Sequence, residues 1–182
     1  RNAGHKEGLK NIEKILKFSI IKKINYLTLF VFSTENWKRP KSEINYIFKL
    51  LETFLIEKID NLNSKDIKIK IIGKKNSNKK LNKLLKKAEF ITKNNKTIQI
   101  NLALNYGSKY EIVNTIKKLI KSKKKINEKN FEENLFTKNI PDPDFLIRTG
   151  NTNRLSNFLL WQIAYSEIFF VKKLWPEFTV ND

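Results

Sequence analysis

Residues 26–59 read YLTLFVFSTENWKRPKSEINYIFKLLETFLIEKI, and this stretch decides the fold. Its first seven residues form a continuous run of apolar, β-branched and aromatic side chains, which is typical of a strand buried on both faces. After Pro40 the pattern predicts a long amphipathic helix, because apolar residues recur at helical spacing: Ile44, Ile47, Phe48, Leu51, Phe54, Leu55 and Ile59. A polar segment, STENWKR (33–39), separates the strand from the helix.

The same alternation extends in both directions along the chain. Upstream, EGLKNIEKILKFSIIKK (7–23) predicts a helix that GHKEG enters. Downstream, strands are predicted at 67–73, 98–107, 144–148 and 167–171, with helices between them, including one over RLSNFLLWQIAY (154–165). This order favours an α/β fold with a mostly parallel sheet flanked by helices. With no repeat or long linker, the 182 residues are expected to form a single domain.

The chain is strongly basic, with a formal net charge of +19. A nucleic-acid partner is one interpretation, but it predicts a concentrated basic face and binding that weakens steeply with salt. The lysines are instead spread over the chain among Ile and Asn, which favours solvated helix faces and no nucleic-acid partner. There is no cysteine, which excludes disulfides and zinc-thiolate sites.

No apolar run approaches the length of about 20 residues that a membrane-spanning helix needs, so we expect a cytosolic protein. The chain contains no methionine and begins RNAGHKEG, and we therefore expect further residues upstream of Arg1.

Two polar segments follow predicted strands, STENWKR (33–39) and RTGNTNR (148–154). In open parallel sheets, ligands bind outside the carboxyl ends of the strands. Arginine is scarce in this lysine-rich chain, so Arg148 and Arg154 suggest a need for planar, bidentate anion recognition. Together with Ser156 in the first turn of the predicted helix, they indicate a phosphate or diphosphate site. The alternative is that Arg154 pairs with Glu167 or Asp144 and that Ser156 only caps the helix.

The 33–39 loop has two interpretations as well. Arg39, beside the rigid Pro40, could bind a second anion, while Ser33, Glu35 and Asn36 orient a leaving group or accept a proton and Trp37 supplies an apolar wall. Alternatively, the loop is a capped turn between strand and helix with a half-buried tryptophan.

Three weaker signals remain. Arg1 and His5 lie four residues apart and could converge on one anion, although a lone histidine is more often structural. Glu167 is either an exposed strand-end residue or a Mg²⁺ ligand. Asp142 and Asp144, between prolines, are interpreted as a turn and a support for the next strand. Neither G-x-x-x-x-G-K-[ST] nor G-x-G-x-x-G is present.

Five segments, in order and spanning nearly the whole chain, resemble the cis-prenyltransferases of the undecaprenyl diphosphate synthase type: GHKEG, LTLFVFSTENWKRP, NLALNYGSKYEI, PDPDFLIRT and RLSNFLLWQIAYSEIFFVKKLWPEF. The resemblance implies a sheet that encloses a hydrophobic tunnel, a homodimer, and condensation of isopentenyl diphosphate with an allylic diphosphate such as farnesyl diphosphate. It also implies that the product is the undecaprenyl carrier lipid for peptidoglycan precursors, made by a cytoplasmic enzyme and delivered to the inner face of the membrane. The helix over 43–59 would be a tunnel wall, or else ordinary core.

The resemblance also implies residue roles. Arg1, His5 and Arg39 match positions that hold the allylic diphosphate. Ser33, Thr34 and Glu35 line that same substrate site with Trp37 beside it, and Asn36 matches the proton acceptor. The homoallylic diphosphate site corresponds to Arg148, Arg154, Leu155 and Ser156, and Glu167 matches the Mg²⁺ ligand.

Three features depart from the family pattern. The D-G-N-x-R-W segment, with its metal-binding aspartate, would lie upstream of Arg1, so the chain as given is expected to be inactive without it. The arginine-rich tail after W-P-[DE]-F is absent from the sequence given, and Asn151-Thr152-Asn153 stands where a Gly-Glu pair is usual. A non-catalytic partner subunit of a prenyltransferase is therefore the alternative function, although the retained arginines argue against it.

Overall fold

The structure is a computed structural model, and it describes residues 2–74 and 78–182. The elements are, in chain order, α1 (Asn2–Ile21), β1 (Tyr26–Ser33), a 3-10 helix (Thr34–Lys38), α2 (Lys41–Ser64), β2 (Ile67–Ile72), α3 (Lys79–Ile91), β3 (Ile98–Tyr106), α4 (Ser108–Lys121), α5 (Glu128–Glu132), β4 (Phe145–Arg148), β5 (Glu167–Phe170) and a second 3-10 helix (Trp175–Glu177). The predicted alternation of strands and helices is confirmed from α1 to β4, but no helix separates β4 from β5 in this described part of the chain.

The strands form two parallel sheets. In the first, β3 lies between β1 and β2 and pairs with both in parallel register. In the second, β4 pairs with β5, so that Phe145 lies opposite Glu167 and Arg148 opposite Phe170. The predicted class, a mostly parallel sheet flanked by helices, is confirmed, although the described strands are divided between two sheets where one was expected.

One expectation for the strands was wrong. The apolar run 26–32 forms β1, which pairs with β3 on one side, and only Phe32 of this strand is buried. The strand buried almost throughout is β3, because it has a neighbour on each edge. A continuous apolar run therefore did not distinguish a strand with one described neighbour from a strand with two.

Two apolar cores cover the larger sheet. Helices α1, α2 and α3 pack on one face, and the predicted apolar stripe of α2 supplies Phe48, Leu51 and Leu55 to that core. A second apolar cluster contains Phe158, Leu159 and Ile163 together with Tyr106 of β3, and Phe30 of β1 packs against it.

The segment 154–165 is not the helix that the sequence predicted. It forms successive turns, and Ser156, Asn157 and Leu159 have positive φ values of 53°, 62° and 45°. These left-handed residues interrupt any helix, yet they bring Phe158 and Leu159 into the core. Ser156 therefore does not lie in the first turn of a helix, and the expected helix N-terminus does not contribute to an anion site.

A buried carboxylate holds the 131–162 region against α4. Glu111 accepts hydrogen bonds from the Tyr106 hydroxyl (2.5 Å), the Phe136 N–H (2.6 Å) and Gln162 Nε2 (3.2 Å), and it is 1% exposed. Burial, together with this adjacent carboxylate, raises the pKa of the Tyr106 hydroxyl far above its ordinary value. The network is structural, because its groups satisfy one another inside the core.

The C-terminal WPEF segment packs on α1. Trp175 Nε1 donates to the Gly8 carbonyl (2.9 Å), and buried Asn11 donates to the carbonyls of Trp175 (2.6 Å) and Phe178 (2.8 Å). A Cβ at Gly8 would lie 3.0 Å from the Trp175 ring, so glycine permits this close packing. Of the helices described, none combines the length and apolar character needed to cross a bilayer.

Candidate functional site

The 33–39 loop begins at the carboxyl end of β1 and is held by side chains from two directions. The Ser33 N–H donates to Asn36 Oδ1 (3.1 Å), which closes the turn. The Trp37 indole donates to Asn105 Oδ1 (2.7 Å), and its ring contacts Phe32 and Phe48. The capped turn with a half-buried tryptophan is therefore present: Trp37 is 40% exposed. This anchoring also fixes where the other polar groups of the loop point.

Glu35 is the acidic group at the centre of the loop. Its Oε1 accepts from Asn157 Nδ2 (2.9 Å), and its Oε2 accepts from the Thr34 hydroxyl (3.1 Å). Partial burial acts to raise the pKa of this carboxyl, but hydrogen bonds from Asn157, its own backbone, Thr34 and Ser33 together hold the pKa below its ordinary value. Glu35 is therefore an ionised acceptor at neutral pH.

Asn157 joins the 33–39 loop to the start of α4. Besides donating to Glu35, it accepts from the Lys109 N–H through Oδ1 (2.8 Å), and its carbonyl accepts from the Ser108 N–H (2.8 Å). A Cβ at Gly107 would overlap Thr34 Oγ1 and lie 2.8 Å from Asn157 Nδ2, so the absence of a side chain allows this approach. No local pattern pointed to Asn157, because its partner Glu35 is 122 residues away.

Arg39 and His5 converge on one carboxylate at the beginning of α2. Arg39 Nη1 donates to Glu43 Oε1 (2.7 Å), and His5 Nε2 lies 3.5 Å from the same oxygen. Within the described residues, buried His5 Nε2 has no hydrogen-bond partner. Glu43 was missed, although its spacing of four from Arg39 was a visible signal. Arg1, predicted to join this group, lies outside the described residues.

Arg148 and Arg154 come together in the 148–154 loop. Burial and the charge of nearby Arg154 both lower the pKa of the Arg148 guanidinium. Arg148 Nε donates to Thr152 Oγ1 (3.1 Å), so the threonine of the Asn-Thr-Asn departure orients this guanidinium. Over the described ranges, neither arginine forms a salt bridge, and the alternative pairing of Arg154 with Glu167 or Asp144 is not found. Two adjacent cations with no counter-ion among these residues supply the charge that anion binding requires.

The turn around the two arginines is fixed by its backbone. The Gly150 N–H donates to the Lys173 carbonyl (2.8 Å), and the Asn151 N–H donates to the Val171 carbonyl (3.2 Å). Gly150 has φ of 94° and Asn151 of 53°, so the two left-handed residues turn the chain back towards Arg148. Leu155 and Ser156 follow directly and are half-buried, with Leu155 packed against the second core cluster.

Glu167 lies at the opposite end of the β4–β5 pair from Arg148. It is opposite Phe145 at the start of the β4–β5 pair, whereas Arg148 ends β4, a separation of three residues or about 10 Å along the strand. Its N–H donates to the Asp144 carbonyl (2.8 Å), which supports the interpretation of Asp144 as a strand-start residue.

Asp142 lies in the segment before β4. Burial, and then the charge of Glu132, raise the pKa of Asp142.

Glu167 alone cannot hold Mg²⁺, so oxygen atoms of a bound ligand would have to complete the site. Across the described parts of the chain, no three His, Cys, Asp or Glu residues form a group that could hold a metal ion. Glu167 is exposed and makes no salt bridge with a described residue. Mg²⁺ is commonly bound by one or two carboxylates together with phosphate oxygens and water. An exposed carboxylate of this kind fits such a site.

An apolar cavity lies between α1, α2 and the larger sheet. Its walls are apolar residues of both helices and of all three strands, among them Leu16, Leu51, Phe54, Val31 and Leu102. The predicted apolar face of α2 thus lines a cavity and also contributes to the core, and its role as a tunnel wall stays a prediction.

Comparisons with known proteins agree over nearly the whole chain. A family model described as putative undecaprenyl diphosphate synthase matches residues 1–182. An isoprenyl transferase of Oceanobacillus iheyensis is 44% identical, over 98% of this chain and 74% of that protein. A ditrans,polycis-undecaprenyl-diphosphate synthase ((2E,6E)-farnesyl-diphosphate specific) of Buchnera aphidicola is 45% identical, over 100% of this chain and 76% of that protein.

Two crystal structures are also similar. A probable undecaprenyl diphosphate synthase from Campylobacter jejuni superposes with a TM-score of 0.88 at 38% identity, covering 96% of this chain and 83% of its own. Lavandulyl diphosphate synthase from Lavandula x intermedia, in complex with dimethylallyl diphosphate, superposes with a TM-score of 0.93 at 32% identity. The match covers 100% of this chain and 82% of that chain.

Proposed function

This chain belongs to the undecaprenyl diphosphate synthase family of prenyltransferases, and on that basis we propose that it condenses isopentenyl diphosphate with an allylic diphosphate to make a long polyprenyl diphosphate. The observation that carries the proposal is the pair Arg148 and Arg154, two neighbouring guanidiniums without a described counter-ion. Farnesyl diphosphate is the proposed primer, since the names of two relatives specify it.

The two diphosphates would occupy different loops. We assign the allylic diphosphate to Arg39 and His5, with Arg1 as a third group, because the two described side chains converge at the beginning of α2. Ser33, Thr34, Glu35 and Trp37 would line this position. The isopentenyl diphosphate is assigned to Arg148, Arg154, Leu155 and Ser156, since the two cations repel each other until an anion binds between them.

The proposed reaction needs stabilised charge and a proton acceptor. The C–O bond of the allylic diphosphate breaks, the isopentenyl double bond forms the new C–C bond, and the resulting cation loses a proton. Guanidiniums stabilise the departing diphosphate. Asn36 is the proposed acceptor: its Oδ1 already accepts the Ser33 N–H, but a carbonyl oxygen has a second lone pair.

Mg²⁺ is the proposed cofactor, and Glu167 is the residue that would supply its protein carboxylate. When bound, the ion would neutralise charge on the diphosphate oxygens. Its support is the exposure of the Glu167 carboxylate at the start of β5.

The apolar cavity between α1 and α2 would receive the growing chain. Each buried CH₂ group contributes about 0.8 kcal/mol, so an apolar wall favours elongation. We further propose that the product is the undecaprenyl carrier lipid of cell-wall synthesis, made in the cytoplasm from water-soluble diphosphates and then delivered to the membrane. Two relatives are named undecaprenyl-diphosphate synthases, which supports undecaprenyl diphosphate as the product.

A homodimer is the proposed assembly. The β4–β5 sheet exposes Phe145 (64%), Ile147 (51%) and Phe169 (49%). A contiguous apolar patch on a small protein marks an interaction surface. A second copy of the chain would bury it.

The proposal is tested by incubating the gene product, with any residues encoded upstream of Arg1, with farnesyl diphosphate, labelled isopentenyl diphosphate and Mg²⁺, followed by sizing of the extracted lipid. We expect a long polyprenyl product that disappears with EDTA. A folded protein that yields no product would contradict the proposal and favour the non-catalytic partner subunit.

A further inference from the structure

Helices α1, α2 and α3 all end at the edge of the larger sheet where its strands begin. Each helix precedes one of the three parallel strands, so each returns the chain to this edge, which we call the strand-start edge. Hydrogen bonds join the connections there: the Gln99 N–H donates to the Asn25 carbonyl (2.9 Å), and Asn95 Nδ2 donates to Asn63 Oδ1 (3.0 Å). The 33–39 loop follows the other end of β1, so the strand-start edge is opposite the proposed allylic diphosphate site.

The strand-start edge is basic. Its connections, residues 22–25, 65–66 and 92–97, contain one acidic residue, Asp66, and five lysines: Lys22, Lys23, Lys65, Lys93 and Lys96. The ratio of basic to acidic residues is thus five to one here, against 37 to 18 in the whole chain. All five lysines are exposed, and none of them forms a salt bridge with another described residue. The charge is therefore available to an anionic partner.

Apolar side chains are exposed among these lysines. Ile21, the last residue of α1, is 76% exposed, Ile24 is 40% exposed, and Phe90 in the last turn of α3 is 68% exposed. Lys93 Nζ lies 4.5 Å from the centre of the Phe90 ring. Lysines attract anionic headgroups, and neighbouring apolar side chains enter the boundary between headgroups and acyl chains. A nucleic acid would attract the same lysines, but it offers no apolar phase for Ile21 and Ile24.

The apolar cavity extends to the same edge of the sheet. Its lining includes Ile20 near the end of α1, Lys65 directly after α2, and Ile67, the first residue of β2. A prenyl chain held in this cavity would therefore lie close to the strand-start edge. The 33–39 loop, at the opposite edge, would remain in water with the diphosphates.

We propose that the strand-start edge is a docking surface for an anionic lipid bilayer. The inference deepens the proposed synthase function and rests on it for its purpose, which is to pass the polyprenyl chain into the acyl region of the membrane and not into water. Ile21, Ile24 and Phe90 enter the interface, and the five lysines contact anionic headgroups.

The test is co-sedimentation of the full gene product with lipid vesicles, in the absence of substrates and at about 0.1 M salt. Vesicles of phosphatidylglycerol and phosphatidylcholine in equal parts are compared with vesicles of phosphatidylcholine alone, and we expect binding to the anionic vesicles. Lys22→Glu/Lys96→Glu is expected to weaken this binding about 30-fold or more, since one lysine near an anionic surface strengthens binding about fivefold. Ile21→Ser is expected to weaken it about fivefold or more.

Each variant has a matched control elsewhere on the same group of helices. Lys79→Glu/Lys83→Glu makes the same charge change near the beginning of α3, where both lysines are exposed. Ile56→Ser removes an isoleucine that is 56% exposed in the middle of α2. Both controls are expected to bind the vesicles nearly as well as wild type does. All the substituted side chains are exposed, so the variants are also expected to melt like wild type.

Equal binding to both kinds of vesicle would overturn the docking surface, and so would equal weakening by Lys22→Glu/Lys96→Glu and by its control. Variants of this edge that bind vesicles like wild type but lose affinity for single-stranded DNA would assign the lysines to nucleic acid and overturn the proposal as well. Vesicle binding is measured without substrate, so its failure is distinguishable from failure to make a polyprenyl product, which would refute the synthase function instead.

Discussion

Replacing Gly107 by alanine is expected to destabilise the protein and to displace the 33–39 loop. The new Cβ would overlap Thr34 Oγ1 and crowd Asn157 Nδ2 at 2.8 Å. Both atoms belong to the hydrogen-bond network around Glu35. Because φ of Gly107 is −161°, which is extended backbone open to any residue, the whole cost is steric.

The size of the effect follows from the packing. Overpacking of a close contact costs about 1–3 kcal/mol. In a protein of this size 1 kcal/mol corresponds to about 2–4 °C, so a cost of about 2 kcal/mol lowers the melting temperature by about 4–8 °C. A displacement of about 1 Å at reacting groups can cost about 100-fold in rate. We therefore expect kcat/KM for the allylic diphosphate to fall by at least tenfold.

The assay is thermal unfolding by circular dichroism, together with steady-state kinetics on the full gene product. Gly4→Ala is the control, because no described atom lies within 4 Å of the position that its new Cβ would take, and alanine is the better helix former. That variant should gain about 0.5–1 kcal/mol. A Gly107→Ala protein with the melting temperature and kcat/KM of wild type would refute the steric argument.

Three further predictions concern the core, the loop and the arginines. Glu111→Ala should lower the free energy of unfolding, measured in urea, by about 2 kcal/mol or more, because two buried donors and one part-buried donor lose their acceptor and each buried one costs about 1–3 kcal/mol. Glu111→Gln should lose less, and equal losses would count against the network. The depressed pKa of Glu35 means that its stabilisation is present above the ordinary carboxyl value of 4.5 and is lost as the pH falls through the lowered folded value. The free-energy difference from Glu35→Gln should therefore stay constant above pH 4.5 and shrink in acid, and a pH-independent difference would contradict this. Arg148→Ala should raise KM for isopentenyl diphosphate about tenfold or more, since a charge-assisted hydrogen bond contributes about 1.5–3 kcal/mol, whereas Thr152→Ser should keep the wild-type KM.

Local patterns predicted the elements well where one periodicity dominated. The apolar stripe of α2 and the order of the strands were both visible in the sequence. The sequence did not reveal which strand would be more buried, because β1 and β3 are both strongly apolar. They differ in the number of described strands that pair with them. That difference is a property of the sheet and not of either segment.

The failure over 154–165 has a specific physical cause. Its apolar residues could be placed on a helix, but Asn157 adopts a left-handed conformation and directs hydrogen bonds to Glu35 and to the start of α4. Asparagine accepts positive φ more readily than most residues. The partners that make this conformation favourable are distant in sequence, so local spacing could not reveal them.

The candidate site was predictable in part. Scarce arginine among many lysines indicated Arg39, Arg148 and Arg154, and the structure leaves the last two without a described counter-ion. Glu43 and Asn105, which anchor Arg39 and Trp37, were not singled out. Supporting residues of this kind become visible only when the strand ends are brought together.

The most direct test of the arginine site is a calorimetric titration of isopentenyl diphosphate into wild type, Arg148→Ala and Lys125→Ala at fixed ionic strength. Lys125 is an exposed residue in the segment after α4, and it controls for diffuse attraction by a chain of net charge +19. We predict that Arg148→Ala weakens binding about tenfold or more while Lys125→Ala binds like wild type. Equal weakening by both substitutions, or none by either, would contradict a diphosphate site built on Arg148 and Arg154.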